Sequence, residues 1–223
     1  LEALKACQHR LELASGQHLY HFGDFADTGY QIVSGCIEIS NLSQDGRRLL
    51  IGTGGAGVCI GDTVLVGANT RVNDAIAVEP TTVNSLKRND FVRLCYQYPG
   101  ISLAMSRFLG RRFQFMLSLV QDAALLPLYQ RLGRGIVRLG LTSGVTNEDG
   151  SVLLTDCSQE SLGDMVGAVR QSVGREMKKM VDKGLITIDY RSIRIHDIHR
   201  LTEEFGKTLA YEPMTQELLG GYP

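Results

Sequence analysis

From Ile101 to Leu126 the chain has no proline and a single glycine, Gly110. Its apolar residues fall on two helical stripes. Ile101, Met105, Phe108, Phe115 and Leu119 share one face, while Leu109, Phe113, Met116, Val120 and Ala123 keep a 4-3-4-3 spacing on another. A surface helix of a monomer needs only one apolar stripe to meet its own core. The second, at heptad spacing, fits a two-helix seam with a partner chain. The competing possibility is a helix buried inside one domain. We read residues 99–126, bounded by Pro99 and Pro127, as a long dimerisation helix.

The two sides of this helix differ. Residues 1–98 read as β: short alternating runs such as Tyr30–Val33, Cys36–Ser40, Arg48–Ile51, Asp74–Val78 and Thr82–Leu86 are separated by Gly, Asp and Asn turns. Strands so short and so often turned suggest a small roll. Residues 127–201 read as helix over Leu128–Leu141, a polar loop over Thr142–Gly150, two short helices and a hairpin. Residues 202–223 form a tail with no assigned role. The fold class is α+β.

Composition narrows the function. In 223 residues no apolar run approaches the roughly 18–20 needed to span a bilayer. No basic start followed by an apolar block resembles a signal peptide. The five cysteines, Cys7, Cys36, Cys59, Cys95 and Cys157, are too far apart for a zinc knuckle or an iron–sulfur cluster, and point to a reducing cytoplasm. A net charge of −1 excludes a generally basic coat, so nucleic-acid binding requires a local cluster.

Such a cluster lies between Met165 and Ile195, where seven Lys and Arg residues face three acidic ones, a local charge of +4. Just upstream, Ser158 can cap a helix with apolar positions Leu162, Met165 and Val166. Gly167 supplies the left-handed turn of a helix-turn-helix. A second helix then buries Val173, Met177 and Met180 and turns Arg170, Gln171, Arg175, Lys178 and Lys179 outward. Gly184–Ile188 and Ile193–Ile195, around a turn at 189–192, form a wing.

With these elements in this order the chain resembles the cyclic-AMP receptor protein and fumarate–nitrate regulator family of bacterial transcription factors. The resemblance runs to about Leu201. It is carried by the segment from Gly23 to Gly35, which fits G-D-x-A-D-x-x-Y-x-I-x-S-G, by Arg111-Arg112 on the long helix, by the helix-turn-helix and by Gly184-Leu185-Ile186. It implies a cyclic-nucleotide-binding-like β-roll, a long dimerisation helix and a carboxy-terminal winged helix-turn-helix. It also implies a homodimer that reads a two-fold symmetric site on double-stranded DNA, with half-sites about one helical turn apart. RNA polymerase is the further partner implied, with no membrane. By position, Arg170 and Arg175 fall where the family reads guanine, whose O6 and N7 suit a guanidinium fork. Gln171 stands where Glu is frequent, so preference at one base should change. Ser158, Ser172 and Lys178 join the expected DNA face, Lys178 and Lys179 reaching phosphate or solvent rather than bases. Val169 stands where Ser or Thr often caps the recognition helix.

The effector cassette matches less well. The family's form is F-G-E, followed about ten residues later by R-S or R-T, with Thr and Ser after the paired arginines to meet the purine. Here the positions hold Gly61, Asp62 and Thr63, then Arg71 and Val72, then Met116 and Leu117. A base edge left without partners costs about 1–3 kcal/mol per group. These seven residues are the candidate effector contacts. The expected effector is a small molecule other than cyclic AMP held by the usual contacts, and the alternative is a cyclic-AMP-dependent regulator. No haem or iron–sulfur cofactor is expected, because the histidines (His9, His18, His21, His196, His199) lie away from the cassette and only Cys7 is amino-terminal. In His18-x-x-His21 the side chains should diverge on a strand, so no residue is assigned to metal.

A remote alternative is an oxidoreductase. Gly52-Thr53-Gly54-Gly55-Ala56-Gly57 fits G-x-G-x-x-G after a strand, with Asp74 about twenty residues on. That fingerprint needs a helix starting at the loop. The residues that follow are β-branched and broken by Gly61 and Gly67. No catalytic residue is assigned, and the reading is of a regulator, not an enzyme.

Overall fold

The computed structural model describes residues 2–155 and 157–206, in two compact units that divide between Arg107 and Phe108. In the first unit a short α1 (Glu2–Ala6) precedes β1 (Gln8–Leu13), β2 (His18–Tyr20), β3 (Thr28–Ser34), β4 (Ile37–Leu42), β5 (Arg48–Gly54) and β6 (Cys59–Ile60). A 3-10 turn over Asp62–Val66 leads to β7 (Asp74–Ala77), β8 (Thr81–Lys87) and α2 (Arg88–Gln97). The strands form two antiparallel four-stranded sheets, ordered β1-β8-β3-β6 and β2-β7-β4-β5. Alternation along them turns Ile32, Ile37, Ile60, Ala75, Ala77 and Val83 into one buried cluster, the core of the roll. A second cluster packs Phe91 and Leu94 of α2 against Leu65 and Leu86.

The α3 helix (Pro99–Leu125) crosses the division between units. The second unit continues with α4 (Leu128–Ser143), β9 (Val145–Thr146), β10 (Val152–Leu154), α5 (Gln159–Val166), α6 (Arg170–Asp182), β11 (Ile186–Asp189), β12 (Ser192–Ile195) and α7 (Ile198–Gly206). Its core gathers Leu132 and Ile136 of α4, Leu162 of α5, Val173, Met177 and Met180 of α6, and Ile193 and Ile195 of β12. Three glycines let α4 sit close to its neighbours. A Cβ at Gly133 would lie 2.3 Å from the Phe205 ring, one at Gly135 2.5 Å from Met165, and one at Gly140 2.8 Å from Ile195.

Several expectations are corrected. Residues 88–97 are helical, not β: Phe91 and Leu94 fall on one face of α2, a periodicity lost when the segment is read with the strand before it. The polar loop contains β9, which with β10 widens the wing into a sheet ordered β11-β12-β10-β9. The tail begins as part of α7, where Phe205 is buried and stacks edge-on against Tyr129 with ring centroids 5.3 Å apart. Its remainder, 207–223, lies outside the described residues. The dinucleotide reading fails, because Gly52 and Gly54 lie in β5, Gly57 turns at φ 89°, and β6 follows where the pyrophosphate helix would have to start.

Among the described residues no helix is long and apolar enough to cross a membrane. Along α3 only Asp122 is buried. The second stripe stands open, with Phe113 65% and Val120 63% exposed, which is the face the heptad spacing assigns to a partner.

Candidate functional site

The helix-turn-helix is built from backbone constraints upward. The Ser158 hydroxyl accepts from the Ser161 amide at 3.0 Å, and the Ser161 hydroxyl accepts from the Ser158 amide at 2.9 Å, a reciprocal cap that starts α5. Ser158 is thereby engaged in positioning α5. Gly167 closes the helix in the left-handed region (φ 66°, ψ 43°), and the Ala168 amide donates to the Gly163 carbonyl at 2.9 Å. Only glycine fits at 163, since a Cβ there would lie 2.4 Å from the Ala168 carbonyl oxygen. Val169 is the N-cap of α6, in extended conformation and with no side-chain cap.

With Val173, Met177 and Met180 buried, Arg170, Gln171, Arg175, Lys178 and Lys179 all face solvent. The Arg175 guanidinium donates to the half-buried Ser172 hydroxyl at 3.2 Å. Lys179 pairs with Glu176 at 2.6 Å, and Lys183 with Glu204 at 2.6 Å. Hydrogen bonds to Glu204 and Tyr129 hold the Lys183 ammonium above the usual lysine range. The outer face of α6 thus carries two forked donors, an amide and a free-standing cationic end, a set suited to phosphates and major-groove base edges.

In the roll, Gly61, Asp62 and Arg71 converge. Gly61 turns in the left-handed region (φ 62°, ψ 21°) and leads into the 3-10 turn, with Asp62 buried at its start. Arg71 is also buried. Its guanidinium donates to the Thr28 carbonyl at 2.6 Å and the Gly61 carbonyl at 3.4 Å. It also lies 4.1 Å from the Tyr20 ring centroid and 5.3 Å from that of Tyr30. Cation–π attraction supports a guanidinium in such a setting. Thr63 and Val72 are both exposed. Met116 and Leu117 belong to α3 in the second unit, both exposed.

Sequence reasoning missed three groups. Tyr20 and Tyr30 line Arg71, and nothing in their spacing announces this, because they come from different sheets. Arg88 anchors the cassette loop by donating to the carbonyls of Val64, Ala68 and Ala26 and to the Asn69 side chain. The histidine expectation is corrected as well: His18 and His21 do not diverge. Pairing between β2 and β7 shifts between His18 and Tyr20, and the two rings stack with centroids 4.0 Å apart.

Comparison with known proteins agrees with this architecture. The model of the cyclic nucleotide-binding domain matches residues 10–98, and that of the Crp-like helix-turn-helix domain matches residues 130–204. The chain is 25% identical over 192 residues to a CRP-like cAMP-activated global transcriptional regulator of Mycobacterium tuberculosis, covering 86% of this chain and 85% of that one. It shares its fold with CLP, the c-di-GMP responsive global regulator of Xanthomonas campestris (TM-score 0.74, 22% identity, 87% and 97% of the two chains). The same holds for a CooA mutant from Carboxydothermus hydrogenoformans (TM-score 0.73, 20% identity, 92% and 90%). With a nucleotide-binding-type roll, a long helix and a Crp-like helix-turn-helix following one another in one chain, this protein belongs to the cyclic-AMP receptor protein and fumarate–nitrate regulator family of transcription regulators.

Proposed function

We propose that the protein is a homodimeric, cytoplasmic, sequence-specific DNA-binding regulator whose α6 helices enter successive major grooves of a two-fold symmetric site. The observation that carries this is the outer face of α6, where Arg170, Gln171 and Arg175 stand free of the core at the start of a capped helix-turn-helix. Arg170 and Arg175 read guanines, Gln171 sets the preference between them, Ser172 orients Arg175 on the DNA face, and Lys178 steadies the backbone contact. The open apolar stripe of α3 supports dimerisation, and RNA polymerase is the partner through which a bound dimer acts on transcription.

The test is selection of preferred sites from a random duplex pool, followed by anisotropy titrations. Arg170→Ala should cost about 1–3 kcal/mol and relax preference at one guanine, while Lys178→Ala should weaken all sequences alike and lower the salt slope by about one. A uniform loss from Arg170→Ala would make that residue a phosphate contact and remove it from base reading.

The roll is the sensing unit, and its effector shifts the balance between two arrangements of the dimer that differ in the spacing of the recognition helices. Gly61, Asp62, Thr63, Arg71 and Val72 take the anionic end of the effector, and Met116 and Leu117 of α3 hold the positions where, by the resemblance, the family meets a purine. The apolar pair favours a small effector other than cyclic AMP held by the usual contacts. A second reading, a cyclic-AMP-activated regulator, is favoured by the named activity of the mycobacterial relative. Calorimetric titration separates them: micromolar cyclic AMP binding that Arg71→Ala abolishes, with cyclic GMP as control, supports the second, and absence of heat supports the first.

A further inference from the structure

We propose that His18, His21 and Asp74 form a binding site for a divalent transition-metal ion of the zinc class on the outside of the roll. One nitrogen of each imidazole and a carboxylate oxygen of Asp74 all lie within 4.8 Å of one another. On a regular strand residues three apart point to opposite faces. Here the chain breaks that rule twice: the pairing of β2 with β7 slips between His18 and Tyr20, and β2 ends at Tyr20, so His21 already belongs to a turn. The slip places the two rings in a stack, and register with β7 brings Asp74 beside them. His21 Nδ1 is 3.5 Å from Asp74 Oδ1.

Neighbouring groups hold the carboxylate and the backbone that carries the histidines. The Phe22 amide donates to Asp74 Oδ1 at 3.0 Å, and the His21 amide to Asp24 Oδ2 at 2.9 Å. Between the histidines, Tyr20 is buried and its hydroxyl is 3.2 Å from Asn73 Oδ1, which fixes the strand that carries them. The bond to Asp74 is an outer-shell support, of a kind worth about 10–100-fold in metal affinity. Zinc takes roughly 2.0–2.2 Å to imidazole nitrogen and carboxylate oxygen, so the two exposed rings must turn out of their stack and aim their lone pairs beside Asp74 to close on an ion. Two nitrogens and one oxygen suit zinc, nickel or ferrous iron; magnesium and calcium take all-oxygen shells, and cuprous ions take sulfur. Three protein ligands leave the remaining positions to water. Because His18 and His21 are exposed, an ion enters without opening the fold.

The site ties residues 18–21 to Asp74, three residues past Arg71, so a bound ion would brace the strand that carries Tyr20 against the segment that carries Arg71. It lies outside the effector cassette and requires no nucleotide.

The experiment uses the full chain, stripped with EDTA, dialysed and kept reduced, and titrated with zinc chloride against a chromophoric chelator. One ion per chain is expected, with a rise in melting temperature. His18→Ala and His21→Ala should each weaken binding by at least roughly 100-fold, more than loss of an outer-shell support. Their metal-free melting temperatures should match the parent, since both side chains are exposed. Cobalt(II) added instead should give visible bands without the near-ultraviolet charge-transfer band of a thiolate. Equal zinc binding by parent and both histidine variants, or a thiolate band, would assign the metal to cysteines and overturn the proposal. No zinc bound by the parent would overturn it outright.

Discussion

Asp122, in the last turns of α3, lies 2.9 Å from the Arg134 guanidinium of α4, and both side chains are almost fully buried. The second carboxylate oxygen of Asp122 is 2.6 Å from Arg138. A single carboxylate therefore meets two guanidinium groups, one of which reaches on to the Phe205 carbonyl at 3.4 Å. This triad joins the end of the long helix to the first helix of the DNA-binding unit by buried charge. Removing one member of a buried set leaves uncompensated charge, so Asp122→Ala should destabilise by about 3–5 kcal/mol. Urea unfolding checks this: an unchanged midpoint would mean that the two arginines find other partners.

The Arg175 guanidinium, proposed above to read a guanine, is partly held by the Ser172 hydroxyl. Ser172→Ala should therefore lower affinity for the preferred duplex several-fold, well short of the loss from Arg175→Ala, and leave binding to random duplex unchanged. Anisotropy on both duplexes distinguishes this from a phosphate contact, which would weaken both alike.

At the start of α6 the sequence places a valine where a hydroxyl would satisfy an open amide, and the structure has no side-chain cap there. Val169→Ser should stabilise by about 1 kcal/mol. Thermal melting reads the gain directly. A melting temperature that stays put, with affinity also unchanged, would show that the helix start is already satisfied by other means.

Burial pushes the Cys157 thiol up to about 11. The folded state then holds its proton more tightly than the unfolded one, so the contribution is fully present below the ordinary thiol pKa near 9 and is lost as pH climbs towards 11. The stability of the parent should fall more steeply across that window than that of Cys157→Ala. At pH 8 the thiol should also be slow towards alkylating reagents in the folded protein. Cys36 should share that reluctance, its thiol raised by burial and by the nearby Glu79 and Glu38.

Local pattern was enough wherever one face of one element decided the outcome. Val173, Met177 and Met180 recur at helical spacing, so their burial and the exposure of Arg170 and Arg175 followed directly. Gly167 announced its left-handed turn. The long helix was legible from its lack of proline and its doubled stripe. What stayed hidden depends on contacts between distant segments. Asp122 reads as one polar residue on an apolar helix until α4 brings Arg134 to it. Phe205 reads as part of a featureless tail, although Gly133, far upstream, leaves the space that its ring occupies. His18 and His21 mislead because strand alternation is a rule for regular pairing, and one slip against β7 reverses it.

Arg71 is already engaged by the interior of the roll. Its charge already rests on two tyrosine rings and two backbone oxygens, those of Thr28 and Gly61. A guanidinium carries five N–H donors, and these two oxygens engage only part of that fork, so the fold fixes the side chain in place while donors are left to offer. An anion meeting that fork would need no search by a loose side chain, and any pull it exerted on Arg71 would reach the head of β3 through Thr28 and the 3-10 turn through Gly61.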